Sequence, residues 1–251
     1  MPLDRSRIIM NFQSAIPLAN QVKENLREAI ENRHLLPDEA LPPERELGIF
    51  YGVDRATIRQ ALDEMVQEGL LRRMRGVGTF VAQPKVVQVF PTLLGFSARM
   101  RQGGHITLNR VLVQEVEQAR SSVARRLHIP EGAPLMRLAR LRIVDNEPLM
   151  IETSFLSLDR FPDLLGDDFT VRSLYDVLAA RYGLHVFELD QTLEPVSMTD
   201  YEAELLDSAP GKPAMLMEVL ALAGENDPFE FSKSIVRGDK CQYYFRMRST
   251  Q

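Results

Sequence analysis

Two arginine clusters carry most of the chemistry open to this sequence. In one, Arg140 and Arg142 stand two residues apart. On a β-strand that spacing puts both side chains on one face, about 7 Å from each other. Leu135, Ala139, Leu141 and Ile143 then take the other face. Neighbouring guanidiniums repel unless a carboxylate or a bound anion neutralises them, and the arginine fork suits a phosphate or carboxylate. Glu152 lies on the returning strand and faces Arg140 only if the connecting loop has an odd number of residues. An exposed sheet face with ordinary ion pairs accounts for the same spacing, so both readings stay open.

In the other cluster, Arg55 and Thr57 open a segment whose apolar residues Ile58, Ala61, Leu62 and Met65 recur at helical spacing. Arg59 and Gln60 lie away from that stripe. Arginine can bond guanine through two donors, threonine and glutamine suit phosphate or base edges, and a helix start favours phosphate. Arg45 begins the preceding short helix, and Arg75-Gly76-Val77-Gly78 forms a turn whose glycines permit close approach to a groove. A surface for protein interaction, with exposed arginines, is the alternative.

The elements that must position these residues divide the chain. Pro17 serves a helix start, with Leu18, Val22, Leu26, Ala29 and Ile30 at helical spacing after it. Pro37, Pro42 and Pro43 hold a loop open. Glu44 to Phe50 makes a short second helix, Gly52 and Val53 a tight turn, and Asp54 an N-cap for the third helix, which Gly69 stops. Leu70–Arg73 and Thr79–Ala82 are strands around the glycine turn. Helix, helix, turn, helix and a two-stranded wing form a winged helix-turn-helix over 1–82. Such a domain reads DNA when its last helix enters the major groove. Residues 83–91 are expected as an extended linker, proline-flanked. Residues 92–251 mix helices with alternating strands, and the whole is α+β. A repeat is visible there. A helix leads through Gly132 and Pro134 into two strands joined by a turn, and further along a helix leads through Gly211 and Pro213 into two more. Thr199 and Glu202 have capping-box spacing. Two such units can close one antiparallel sheet.

Composition narrows the function. The 251 residues carry 30 Lys+Arg against 35 Asp+Glu, a net charge of -5. That excludes coating of nucleic acid by bulk charge but leaves room for a local basic surface. With 45% hydrophobic residues the chain has material for a core. No apolar run reaches the roughly 18 residues of a membrane span, and Met1 to Arg5 lack the layout of a secretory signal, so a cytoplasmic protein without membrane contact is expected. A single cysteine, Cys241, excludes an intramolecular disulfide and a thiolate metal site. His34, His105, His128 and His185 are scattered, and no serine sits in a nucleophile elbow. No metal, cofactor or catalytic group is expected.

The ordered series Pro17-Leu18, Gln21-Val22, Leu26-Arg27, Leu41-Pro42-Pro43-Glu44-Arg45-Glu46-Leu47, Gly52 to Leu62, Glu68-Gly69-Leu70 and Gly76-Val77-Gly78-Thr79-Phe80-Val81 resembles the N-terminal domain of the GntR family of bacterial transcription regulators. By matched position, the resemblance implies operator contacts by Arg45, Arg55, Thr57, Arg59 and Gly76. Arg75 joins them from its place at the wing tip. Arg33 and Asp38 stand where that family usually has glycine, Pro43 and Asp54 where it has serine, and Val77 where lysine is frequent.

Thr92-Leu93-Leu94-Gly95-Phe96-Ser97, Arg140-Leu141-Arg142 with Glu152, Ser173-Leu174-Tyr175 and Pro228 to Ser232 with Arg237-Gly238-Asp239 resemble the effector domain of the HutC subfamily, called UTRA, similar in fold to chorismate lyase. That resemblance implies that Phe96, Ser97, Arg140, Arg142, Ser173 and Tyr175 hold an anionic group. It also implies that Glu152 and Glu230 accept hydrogen bonds from the ligand body. The expected protein is a dimeric repressor on a palindromic double-stranded operator, released by a small anionic effector such as a phosphorylated sugar or organic acid. A lyase-like enzyme with the winged helix as an interaction module is the rival; an all-helical, metal-binding second domain is a weaker one.

Overall fold

The computed structural model describes residues 10–90 and 93–246. Pro91 and Thr92, at the end of the expected linker and the start of the expected second domain, lie outside the described residues, as do the N-terminal residues read for a secretory signal. The chain divides into two units, Met1–Val86 and Val87–Gln251.

In the first unit, helix α1 (Leu18–Glu31) starts at Pro17, whose carbonyl accepts from Gln21 N at 3.1 Å. Helix α2 (Glu44–Tyr51) follows the proline loop, and α3 (Arg55–Gln67) starts at Asp54, whose carboxylate accepts from Thr57 N at 2.7 Å. Strands β1 (Leu71–Met74) and β2 (Gly78–Val81) pair antiparallel, one residue from the expected bounds. The apolar stripes of the three helices meet in one core: Val22, Leu26, Leu47, Ile58, Leu62 and Met65 are all buried. Lys23 reaches Glu64 at 2.9 Å and Arg27 reaches Glu68 at 2.6 Å, tying α1 to the back of α3. Arg33 and Asp38 adopt left-handed backbone, φ 57° and 66°. This accounts for glycine being usual at both places, since glycine enters that region without strain.

Strand β3 (Val86–Phe90), all but the first residue of which belongs to the second unit, falls inside the expected linker. Rather than running free, it pairs with β10 (Cys241–Phe245) in a two-stranded sheet. Between them, α4 (Phe96–Gln102), β4 (Thr107–Gln118), α5 (Ser121–Leu127), β5 (Pro134–Val144) and β6 (Glu147–Ser157) precede α6 (Leu174–Tyr182). Then come β7 (Glu188–Ser197), α7 (Asp200–Leu205), β8 (Pro213–Leu222) and β9 (Pro228–Arg237). The six long strands form an antiparallel sheet in the order β4-β5-β6-β9-β8-β7.

That order is the repeat made visible, each copy a strand, a helix and a hairpin, with β6 and β9 side by side at the centre. The joints match bond for bond. Gly132 N donates to Ala119 O and Gly211 N to Met198 O, each at 2.8 Å. Ala119 N donates to Ala133 O and Met198 N to Lys212 O, each at 2.9 Å. The capping box of Thr199 and Glu202 opens α7. One face of the sheet, with Leu135 and Leu141, packs on α5 and α7. The other, with Met136, Leu138 and Phe229, packs on α6 through Leu174, Val177 and Leu178. The alternation along β5 therefore follows the expected parity, but both faces are covered. Arg140 and Arg142 are buried rather than on a solvent-exposed sheet face.

Candidate functional site

The hairpin between β5 and β6 decides where Glu152 points. Its loop consists of Asp145 and Asn146, with φ of 50° and 68°. Positive φ at both places is what a tight hairpin turn requires. An even loop alone would set Ile151, not Glu152, opposite Arg140. The register shifts after Arg142, which pairs with Met150 while Ile143 pairs with Pro148. Leu149 is thus an extra residue, a bulge of the kind that re-aims side chains. It restores the parity, and Arg140 stands directly opposite Glu152.

The result is a buried charge cluster. One oxygen of Glu152 accepts from Nη2 of both Arg140 and Arg142, each at 2.5 Å. Arg142 also donates Nη1 to Asn109 at 2.8 Å and lies over the Phe96 ring, 5.0 Å from its centroid. Arg140 is 1% exposed, and its Nε and Nη1 have no hydrogen-bond partner among the described residues. Buried donors are rarely left so. Burial, with Arg142 beside it, brings the Arg140 guanidinium down to about 10. Burial pushes the Glu152 carboxyl up, but Arg142 and Arg140 outweigh it and hold it below the ordinary carboxylate range. For Glu230, burial and then the Glu152 charge push the carboxyl up, although the Ser154 and Tyr175 hydroxyls reach it.

All eight residues expected to bind an effector line one cavity: Phe96, Ser97, Arg140, Arg142, Glu152, Ser173, Tyr175 and Glu230. Ser173 is the N-cap of α6, accepting from Asp176 N at 3.4 Å, which fixes Tyr175 in the first turn. Gly95 admits the Tyr175 ring: a Cβ there would stand 2.8 Å from Cδ2. Sequence reasoning missed Arg99, Gln191, Met217 and Val219, which also line the cavity. Arg99 shows only as one charge on a short helix. The other three come from β7 and β8, brought to the site by the repeat.

The first unit's cluster is exposed. Arg55 Nε donates to Glu44 Oε2 at 2.8 Å and Arg59 Nη2 to the same oxygen at 3.2 Å. Arg73 on β1 lies 3.6 Å from the other oxygen and 2.9 Å from Asp63. The bond from Arg55, reinforced by Arg59, lowers the Glu44 carboxyl despite its partial burial. Thr57 follows the Asp54 cap. Arg45 and Arg75 are exposed and have no ion-pair partner among the described residues. Gly76, φ 75°, has open space around its Cα, so backbone conformation rather than crowding calls for glycine at this wing tip. Arg55, Thr57 and Arg59 share the start of α3, and Arg45 is the second residue of α2. Glu44 as a common anchor escapes sequence reasoning, because its partners stand on α3 and β1 and no local pattern links them.

Among the described residues no group of three or more His, Cys, Asp or Glu is placed to hold a metal, and no helix is long and apolar enough to cross a membrane. The model of the family described as bacterial regulatory proteins, gntR family, matches residues 18–81, and that of the UTRA domain matches residues 102–242. The HTH-type transcriptional repressor NagR of Bacillus subtilis (strain 168) is 32% identical over 238 residues, 95% of this chain and 98% of that protein. The histidine utilization repressor of Klebsiella aerogenes is 31% identical over 201 residues, 80% of this chain and 83% of that protein. Among solved structures, PhnF from Mycobacterium smegmatis aligns with a TM-score of 0.65 at 25% identity, covering 91% of this chain and 100% of that one. The chain belongs to the GntR family of bacterial transcription regulators, in the HutC-type combination of a helix-turn-helix with a UTRA domain. Both of these relatives are named as transcription repressors rather than enzymes.

Proposed function

We propose that this repressor binds a palindromic operator as a symmetric dimer in the cytoplasm and is released by a small anionic effector, a phosphorylated sugar or organic acid, held in the cavity. The observation that carries the effector reading is Arg140, whose Nε and Nη1 lack a partner among the described residues, in a cavity lined by the arginines Arg99, Arg140 and Arg142 against the two glutamates Glu152 and Glu230. An anion would satisfy those donors and offset the surplus charge. Arg142, Ser97, Ser173 and Tyr175 stand around the same space, with Phe96 as the wall beneath Arg142. Glu152 and Glu230 supply acceptors for a polar ligand body.

On the DNA side, Arg45, Arg55, Thr57, Arg59, Arg75 and Gly76 form the contact set. Two-fold symmetry follows from economy. One winged helix covers a short half-site, and a dimer facing a palindrome multiplies both affinity and specificity. Residues 1–82 serve as the reader, 83–91 as the connection and 92–251 as the sensor. Release needs only a modest linkage: about 1–3 kcal/mol of differential affinity changes occupancy roughly 5–150-fold. The test is a gel-shift titration of operator DNA with candidate phosphates and carboxylates, using wild type and Arg142→Ala. Wild type should lose operator affinity as the effector rises while the variant stays bound. An operator affinity that no anion alters would reject the coupling.

A further inference from the structure

Glu44 sits where a repressor needs positive charge, and its carboxylate costs affinity for any DNA brought against it. Its ion pairs do not offset that through stability. The Arg55 side chain is 68% exposed and that of Arg59 53%, so solvent screens both pairs. Such exposed pairs contribute little to stability. The geometry offers another use. Arg55 donates only Nε to Glu44, leaving both terminal nitrogens without a partner among the described residues. Those are the two donors that a bidentate bond to guanine O6 and N7 requires. Arg59 donates Nη2 and keeps the rest of its fork. Arg73 brings the base of the wing to the same carboxylate, which ties α2, α3 and β1 through one side chain. Arg45 and Arg75 have no such anchor among the described residues.

We infer that Glu44 is a positioning residue for sequence reading. It orders the guanidiniums of Arg55 and Arg59 before DNA arrives, while the unanchored Arg45 and Arg75 serve the phosphate backbone. The inference rests on Arg55 and Arg59 contacting the operator. A free arginine samples many rotamers, so ordering it beforehand favours the bonds that need a defined direction. Phosphate contacts need charge more than direction.

The experiment uses full-length protein and a pool of random-sequence duplexes, selected at about 150 mM salt to suppress non-specific binding. Wild type, Glu44→Gln, Glu44→Ala and Arg59→Ala are each put through selection, sequenced, and titrated against the wild-type winner and a scrambled duplex. Glu44→Ala should weaken the winner roughly 10- to 100-fold. It should not weaken the scrambled duplex, because a negative charge has left the surface. Its selected sequences should lose preference at the base positions that Arg59→Ala also loosens. Glu44→Gln, which keeps one acceptor oxygen, should fall between. If Glu44→Ala melts early, Glu44→Gln decides. An unchanged ratio of winner to scrambled affinity in the glutamate variants, with Arg59→Ala having lost it, overturns the role of Glu44 alone. An equal loss on both duplexes also overturns it, since a purely structural role would give that result. A ratio retained by Arg59→Ala itself overturns the underlying contact assignment.

Discussion

Each half of the chain gathers arginines around one glutamate, and the surroundings give the two clusters opposite properties. Glu44 holds Arg55, Arg59 and Arg73 at the surface, where water screens every pair. Glu152 holds Arg140 and Arg142 inside the protein, where both arginines are buried. The exposed cluster is cheap to form and cheap to break, so its arginines can exchange a carboxylate for a nucleic acid. The buried cluster has taken charges out of water, and one carboxylate does not satisfy every donor of Arg140. The same residue types thus make a solvent-screened, exchangeable cluster in one place and a buried one with unsatisfied donors in the other.

The most severe way to break that contrast is Glu152→Ala. Removing one partner of a buried pair leaves uncompensated charge, and unfolding in urea should show a loss of about 3–5 kcal/mol. Millimolar inorganic phosphate should recover part of it. A loss under about 1 kcal/mol would mean that the cluster behaves like a surface pair. Next is Arg59→Ala, which should lower operator affinity roughly 10- to 100-fold and leave the unfolding free energy within about 0.5 kcal/mol of wild type. Retained specificity would show that α3 does not read DNA.

A smaller effect sharpens the buried side. Burial and the Glu152 charge raise the Glu230 carboxyl, so its contribution to stability is present below the ordinary carboxylate range and lost as pH rises through the folded-state value. Glu230→Gln has no such loss. The stability of the variant relative to wild type should therefore increase as pH is raised from about 4, measured by urea unfolding across the range. A difference that shrinks with pH would mean the carboxylate is held ionised. The smallest expected change is the stability of Glu44→Gln, under about 1 kcal/mol. A decrease as large as that of Glu152→Ala would erase the distinction between the clusters.

Local signals made the first unit legible: proline at the helix starts, the Asp54 cap, apolar residues at helical spacing and glycines in the wing. Each acts within a few residues, so the sequence displays it directly. The eight cavity residues were legible by resemblance, and the Arg140–Arg142 spacing by strand geometry. What stayed hidden depends on distance or on counting. The partnership of Glu152 turns on the single extra residue Leu149, which no composition signal marks. The pairing of β3 with β10 joins opposite ends of the second unit, so Val86–Phe90 read as plain extended chain. Gln191, Met217 and Val219 come to the cavity because the second copy of the repeat folds back beside the first. Sequence similarity showed the copies, and only the strand order showed where their walls meet.

The central claim is that the exposed cluster makes this chain a sequence-specific DNA reader. The most direct test is to incubate the purified protein with sheared DNA from the source organism at about 150 mM salt, a condition under which non-specific binding fades, and to sequence what is retained. One or a few strongly enriched palindromes are expected, and their neighbouring genes would nominate the chemistry of the effector. Retained DNA no different from the input, with and without candidate anions, would contradict the claim.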